Sequence, residues 1–121
     1  MTRKVMIIDD ENFMRTHFGN LIRRMGFEVV VAEDAQEAVT SFHLANPDIV
    51  FLDIRLPDIN GEKIFNILKQ MKPEVKIFFI SGSEDELKKV AAMKLGAEGF
   101  YAKPIFSDQI EEALKPFKPE K

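Results

Sequence analysis

Short apolar runs alternate with amphipathic stretches along the whole of this chain, and few architectures accept that rhythm. Val5-Met6-Ile7-Ile8 is four apolar residues in succession, the mark of a strand buried on both faces. Phe13, Met14, Phe18, Leu21, Ile22 and Met25 then recur at helical spacing, and Gly26 stands where a helix-ending residue belongs. Phe27 to Ala32 is a second, β-branched strand, and Asp34 with Glu37 signals a helix from Ala35 to about Ala45. The cycle repeats: a strand over Asp48–Leu52, a helix over Lys63–Met71 closed by Pro73, and a strand over Lys76–Ile80. Ser83 with Glu86 forms a capping-box pattern for a helix ending at Gly96. Glu98 to Ala102 is the last strand, and Ser107 caps a final helix carrying Ile110, Ala113 and Leu114.

Five strands and five helices in strict alternation predict an α/β fold: a doubly wound, five-stranded parallel sheet with helices on both faces. Parallel neighbours need helical crossovers, and right-handed crossovers leave few strand orders. At 121 residues the chain fits one domain, 1–121, large enough to build a core without staples. A net charge of −3 is too small to point to nucleic acid or a membrane surface as partner. With no cysteine, disulfides, thiolate metal sites and a cysteine nucleophile are excluded. The basic start Met1-Thr2-Arg3-Lys4 before Val5 superficially looks like a signal peptide. The apolar run stops at Asp9-Asp10-Glu11, too short for one, so a cytoplasmic protein is expected. The tail Pro116-Phe117-Lys118-Pro119-Glu120-Lys121 cannot continue a helix smoothly, and is read as a natural end or the start of a linker.

The polar residues that interrupt this pattern fall at the carboxyl ends of strands. Asp9 and Asp10 follow the first, Asp53 ends the third, Ser81 follows the fourth and Lys103 the fifth. In open α/β sheets that edge is where ligands bind. One such aspartate alone is ordinarily a turn or N-cap residue, and one lysine a solvated surface group. Their convergence on one edge is different. Three close carboxylates repel unless something positive joins them. Lys103 supplies one charge and a hard divalent cation the rest, Mg²⁺ being suited to carboxylate, water and phosphate oxygens. A hydroxyl and an ammonium beside such a metal are the parts phosphoryl transfer requires, and a carboxylate is an adequate nucleophile toward phosphorus.

The order Ile8-Asp9-Asp10, Leu52-Asp53-Ile54-Arg55-Leu56-Pro57 with Gly61, Ile80-Ser81-Gly82 and Lys103-Pro104 resembles response-regulator receiver domains of two-component systems, including single-domain chemotaxis regulators. The resemblance covers essentially the whole chain and implies the flavodoxin-like strand order 2-1-3-4-5. It implies that Asp53 is the phosphoacceptor. Asp9 and Asp10 would be the acidic pair that holds Mg²⁺, Asp10 being favoured as the direct ligand, with the Arg55 carbonyl as a further ligand. Ser81 would turn toward the phosphoryl group and Lys103 pair with it. Gly82 would keep the site open, Lys103-Pro104 is a candidate cis peptide, and Phe100 takes the place of a rotameric switch. Tyr101, next along the strand, should face the other way and serve packing. Arg55 is open to two readings: a solvated side chain, or a guanidinium that meets the phosphoryl group or a neighbouring acid. His17 and His43 lack a ligand cluster and are read as structural or surface residues, and Phe51, Phe78 and Phe79 as core.

The function so implied is a phosphorylation-activated switch. A sensor histidine kinase or phosphotransfer protein supplies the phosphoryl group, and the surface of the fourth helix, fifth strand and fifth helix controls a protein target or an output domain. A stand-alone regulator is favoured because Met1 lies a natural distance before the first strand. The alternative is a receiver excised from a transcription factor or hybrid kinase. An aspartyl-phosphate-forming hydrolase would want an acid two residues beyond its nucleophile, where this chain has Arg55. A flavin carrier would want N–H donors in the acidic loop after the first strand, and no Gly-rich nucleotide motif is present.

Overall fold

The structure is a computed structural model that describes residues 3–118; Met1, Thr2 and Pro119 to Lys121 lie outside the described residues. The strands are β1 (Lys4–Ile8), β2 (Glu28–Ala32), β3 (Ile49–Asp53), β4 (Lys76–Ser81) and β5 (Gly99–Ala102). Between and after them run α1 (Asn12–Arg24), α2 (Ala35–Ala45), α3 (Gly61–Met71), α4 (Glu84–Ala92) and α5 (Ser107–Leu114). A single 3₁₀ turn over Lys115–Phe117, containing Pro116, ends the last helix as the tail composition requires. All four strand pairings are parallel, in the order β2-β1-β3-β4-β5. This is the flavodoxin-like doubly wound sheet.

Period-2 alternation divides the core in two. Met6, Ile8, Val50, Leu52, Ile77 and Phe79 face α2, α3 and α4, meeting Phe42, Phe65, Leu68 and Leu87. Val5, Ile7, Ile49, Phe51, Phe78 and Ile80 face α1 and α5, meeting Phe18, Ile22, Ile110 and Leu114. Within the second layer Phe18 meets Phe51 edge-on at 4.9 Å between ring centroids, and Phe51 stacks on Phe78 at 5.1 Å. Phe51, Phe78 and Phe79 are therefore core, as expected, each contributing roughly 1.5–3 kcal/mol by burial. β1 and β3 are apolar on both faces because both faces are covered.

Helix ends follow local chemistry, with instructive departures from the sequence pattern. Gly26 ends α1 at φ 99°, and its N–H donates to the Arg23 carbonyl. Asp34 caps α2 by accepting from the Glu37 N–H at 2.8 Å. α3 begins at Gly61, two residues before the expected Lys63, because the Asn60 side chain caps it by accepting from the Lys63 N–H. α4 stops at Ala92 rather than Gly96: Lys94 already takes the left-handed conformation, at φ 52°. Ser107 is the first residue of α5 and not its cap. The cap is Phe106, whose N–H donates to the Gln109 side chain at 2.9 Å.

Candidate functional site

Register brings the site together before any side chain is considered. Ile8 pairs with Leu52 and Asp53 with Ile80, so Asp9 and Asp53 leave adjacent strands at the point where strand order reverses. Ser81 pairs with Ala102, and the Lys103 N–H donates to the Ser81 carbonyl, fixing the fifth strand's exit beside the fourth's. The Lys103-Pro104 peptide is cis. Gly61 seats the loop after β3: its N–H donates to the Ile54 carbonyl at 2.7 Å. A Cβ there would stand 2.7 Å from Ile54 Cα and 2.9 Å from the Asp53 carbonyl oxygen, so no larger residue fits without displacing α3.

Around one ammonium stand three carboxylates. Lys103 Nζ lies 2.9 Å from Asp53 Oδ2, 2.8 Å from Asp9 Oδ2 and 2.7 Å from Glu11 Oε1. Asp9 is fully buried and Asp53 nearly so. Backbone groups aim them: the Glu11 N–H donates to Asp9 Oδ1 at 2.9 Å, and the Arg55 N–H to Asp53 Oδ1 at 3.0 Å. Burial raises the Asp53 carboxyl, the Lys103 hydrogen bond draws it back, and the Asp9 charge pushes it up again, leaving it at about 6. Burial alone would lower the Lys103 ammonium. Its close contacts with the Asp9, Glu11 and Asp53 carboxylates outweigh that, and its pKa is raised. Lys103 therefore stays charged while Asp53 binds a proton unusually readily.

Asp9, Asp10 and Asp53 each offer a carboxylate oxygen, all within 4.8 Å of one another. Asp9 Oδ2 accepts no hydrogen bond of good geometry even with Lys103 beside it, a buried oxygen with spare capacity. The donor set is hard oxygen throughout and fits a hard divalent cation. Above it opens a cavity of about 430 Å³ lined by Asp10, Asp53, Arg55, Ser81, Gly82 and Lys103 among others. A Cβ on Gly82 would meet nothing within 4 Å, so the glycine leaves open volume rather than relieving a clash. Pro104 follows the lysine and is exposed. Ser81 Oγ accepts from the Ser83 N–H at 3.0 Å.

The structure thus gathers Asp9, Asp10, Asp53, Arg55, Ser81, Gly82 and Lys103 at one edge. Phe100 stands apart on β5, half-exposed and stacked on Phe79 at 5.9 Å, while Tyr101 packs on Phe78 on the opposite face, as alternation requires. Among the described residues, His17 and His43 belong to no cluster of metal-binding side chains; His17 stacks on exposed Phe13. Two neighbours of the site were not legible as such. Glu11 adjoins the acidic pair and reaches Lys103, a contact only the strand order creates. Glu86 reads as half of a capping box. Ser83 does accept from the Glu86 N–H, but the Glu86 carboxylate turns away to Arg55, with Nε 2.6 Å from Oε1.

A parallel sheet in this order, with an acidic pocket and a lysine at its carboxyl edge, defines the receiver class of signalling domain. Residues 5–115 match the family model described as the response regulator receiver domain, and the chain belongs to that family. It is therefore a receiver domain of two-component signalling. It is 37% identical to the chemotaxis protein CheY of Listeria monocytogenes over 113 residues, covering 93% of this chain and 95% of that one. It is 29% identical to PhoP of Bacillus subtilis, an alkaline phosphatase synthesis transcriptional regulatory protein, over 95% of this chain but 48% of that protein. The chain thus spans nearly all of one relative and about half of the other. A CheY-like receiver from Methanospirillum hungatei has the same fold at a TM-score of 0.87 and 22% identity, covering 96% of this chain and 93% of that one. Among the described residues, no helix is long and apolar enough to cross a membrane.

Proposed function

We propose that this domain is a phosphorylation-controlled switch, cytoplasmic, with Asp53 as phosphoacceptor and residues 1–121 forming one receiver unit. The observation that carries this reading is the buried Asp53 carboxylate, held 2.9 Å from Lys103 within the only described group of three metal-capable acids. Asp9, Asp10, Asp53 and the Arg55 carbonyl would hold Mg²⁺, with Asp10 the exposed ligand, and the bound ion would supply positive charge to neutralise that building on the phosphoryl oxygens. An Asp53 oxygen attacks the phosphorus of a phosphohistidine on a sensor histidine kinase or phosphotransfer protein. The P–O bond forms as the P–N bond breaks, and the electron pair returns to the imidazole nitrogen.

Asp53 is oriented for this by the Arg55 N–H on one oxygen and Lys103 on the other. Lys103 then pairs with the new phosphoryl oxygens, and Ser81 turns its hydroxyl toward them. The space Ser81 leaves admits Phe100, half-exposed on β5, and the surface of α4, β5 and α5 changes for a downstream protein target. That target is a separate protein if the chain acts as a stand-alone regulator of the CheY kind. The match to half of PhoP supports the alternative of a receiver joined to an output domain.

Intact-mass measurement after incubation with acetyl phosphate and Mg²⁺ tests the chemistry. The wild-type chain gains one phosphoryl group, and Asp53→Asn gains none. Uptake by Asp53→Asn would sink the reading.

A further inference from the structure

Two cavities meet at one ion pair. The first, of about 430 Å³, lies over Asp53; the second, of about 570 Å³, lies between the loop after β3 and α4 and is lined by Leu56, Ile59, Val90 and Met93. Arg55 and Glu86 line both, so their ion pair forms part of the wall between them. The pair is unequal. The Arg55 side chain is 78% exposed, whereas that of Glu86 is 22% exposed, with a buried Oε1 that has no hydrogen bond of good geometry. Glu86 holds the guanidinium by this close contact and by charge, and the Asp53 charge acts on that guanidinium as well.

The first turn of α4 has a second connection to the site. The Ser83 N–H donates to Ser81 Oγ, and Ser83 Oγ accepts from the Glu86 N–H. Ser81 and Arg55, which supply the two tethers, both line the cavity over Asp53 while holding the residues that open α4. An exposed ion pair is weak, and a phosphoryl dianion with several acceptor oxygens outcompetes a single carboxylate for a guanidinium.

We propose that Arg55 is a phosphoryl-binding residue that Glu86 holds in reserve. When Asp53 carries a phosphoryl group, the Arg55 guanidinium passes from the Glu86 carboxylate to a phosphoryl oxygen. The turn Ser83–Leu87 then loses its Arg55 tether in the same event that draws Ser81 away, and the two cavities join. Glu86 is a positioning residue that sets how tightly the site holds the phosphoryl group. The inference rests on the proposed role of Asp53.

A double-mutant cycle on beryllofluoride affinity in Mg²⁺ tests it, using wild type, Glu86→Gln, Arg55→Gln and the double variant. Each variant keeps the backbone carbonyl of residue 55. Glu86→Gln is expected to tighten binding about three- to fivefold by freeing Arg55, and Arg55→Gln to weaken it by a similar factor. In the Arg55→Gln background, Glu86→Gln is expected to do nothing. The amide signals of Glu84 to Leu87 in beryllofluoride-free Glu86→Gln should also move partway toward their bound positions. Equal effects of Glu86→Gln in both backgrounds would reveal bulk charge alone and overturn the latch. Absence of beryllofluoride binding by the wild-type chain, with no phosphoryl uptake at Asp53, would overturn the switch reading and the latch with it.

Discussion

Asp53 combines two demands that pull against each other: in the proposed reaction it must be ionised to attack phosphorus, yet it is buried beside another acid. Its carboxyl, at about 6 in the folded chain against 3.8 for the free group, binds a proton more tightly folded than unfolded. Below pH 4 both states are protonated and the group costs nothing; as pH rises from about 4 to about 6 the unfolded chain releases its proton first, and stability is lost. Above pH 6 the cost is constant, on the order of 3 kcal/mol at most. Asp53→Asn should accordingly stabilise the metal-free protein at pH 7.5 by about 1–3 kcal/mol in urea denaturation, and by little at pH 4. Equal gains at both pH values would show that ionisation of Asp53 is not the source. At this scale the sequence was most informative about chemistry, because Asp9, Asp53, Ser81 and Lys103 each break an apolar strand at its end. It was silent about Glu11 and Glu86, whose partners lie 92 and 31 positions away and are set by strand order and helix docking.

Among the elements, the loop between β3 and α3 has the greatest effect on the site, since it carries Arg55 and is pinned at both ends. Gly61 lets α3 start in contact with the Asp53–Ile54 backbone, and Gly61→Ala would push a methyl group to 2.7 Å from Ile54 Cα. That substitution should cost about 1–3 kcal/mol by overpacking and also weaken Mg²⁺ binding, as read by calorimetry, because the Arg55 carbonyl moves with the loop. Farther along, Asp58 accepts from the Ala35 and Gln36 N–H groups at 3.0 and 3.1 Å, so this loop also caps α2. Those hydrogen bonds hold the Asp58 carboxyl below its usual range. Asp58→Ala should speed amide exchange in the first turn of α2 while leaving α5 untouched. The long-range cap could not be read from sequence, where Asp34 already satisfied the local pattern. Strand and helix identities were legible because period 2 and period 3.6 differ sharply. Helix ends were less so: Asn60 and Phe106 act through side-chain and backbone geometry that no periodicity records.

At the scale of the whole molecule, the doubly wound sheet makes one edge polar and leaves two apolar layers to hold it. Acids forced together at that edge are relieved by a cation, so Mg²⁺ should raise the thermal midpoint. Each tenfold rise in free Mg²⁺ above its dissociation constant should add about 1.4 kcal/mol of stability. Asp10→Asn should lose most of that increase, and a midpoint indifferent to Mg²⁺ in the wild-type chain would count against the metal site. Strand order was legible only through the family resemblance, since alternation alone permits several orders. β5 carries a further consequence. The chain has one tyrosine and no tryptophan, and Tyr101 sits next to Phe100 on opposite faces of that strand, packed on Phe78. Burial, then the nearby Glu112 charge, raises its phenol above the ordinary range, so it stays protonated in neutral buffer. Absorption to the red of the phenylalanine bands, and emission, therefore come from a single chromophore on the strand that bears Phe100, the proposed switch residue. The protein carries its own optical probe, and a movement of β5 can be followed in time without attaching a dye.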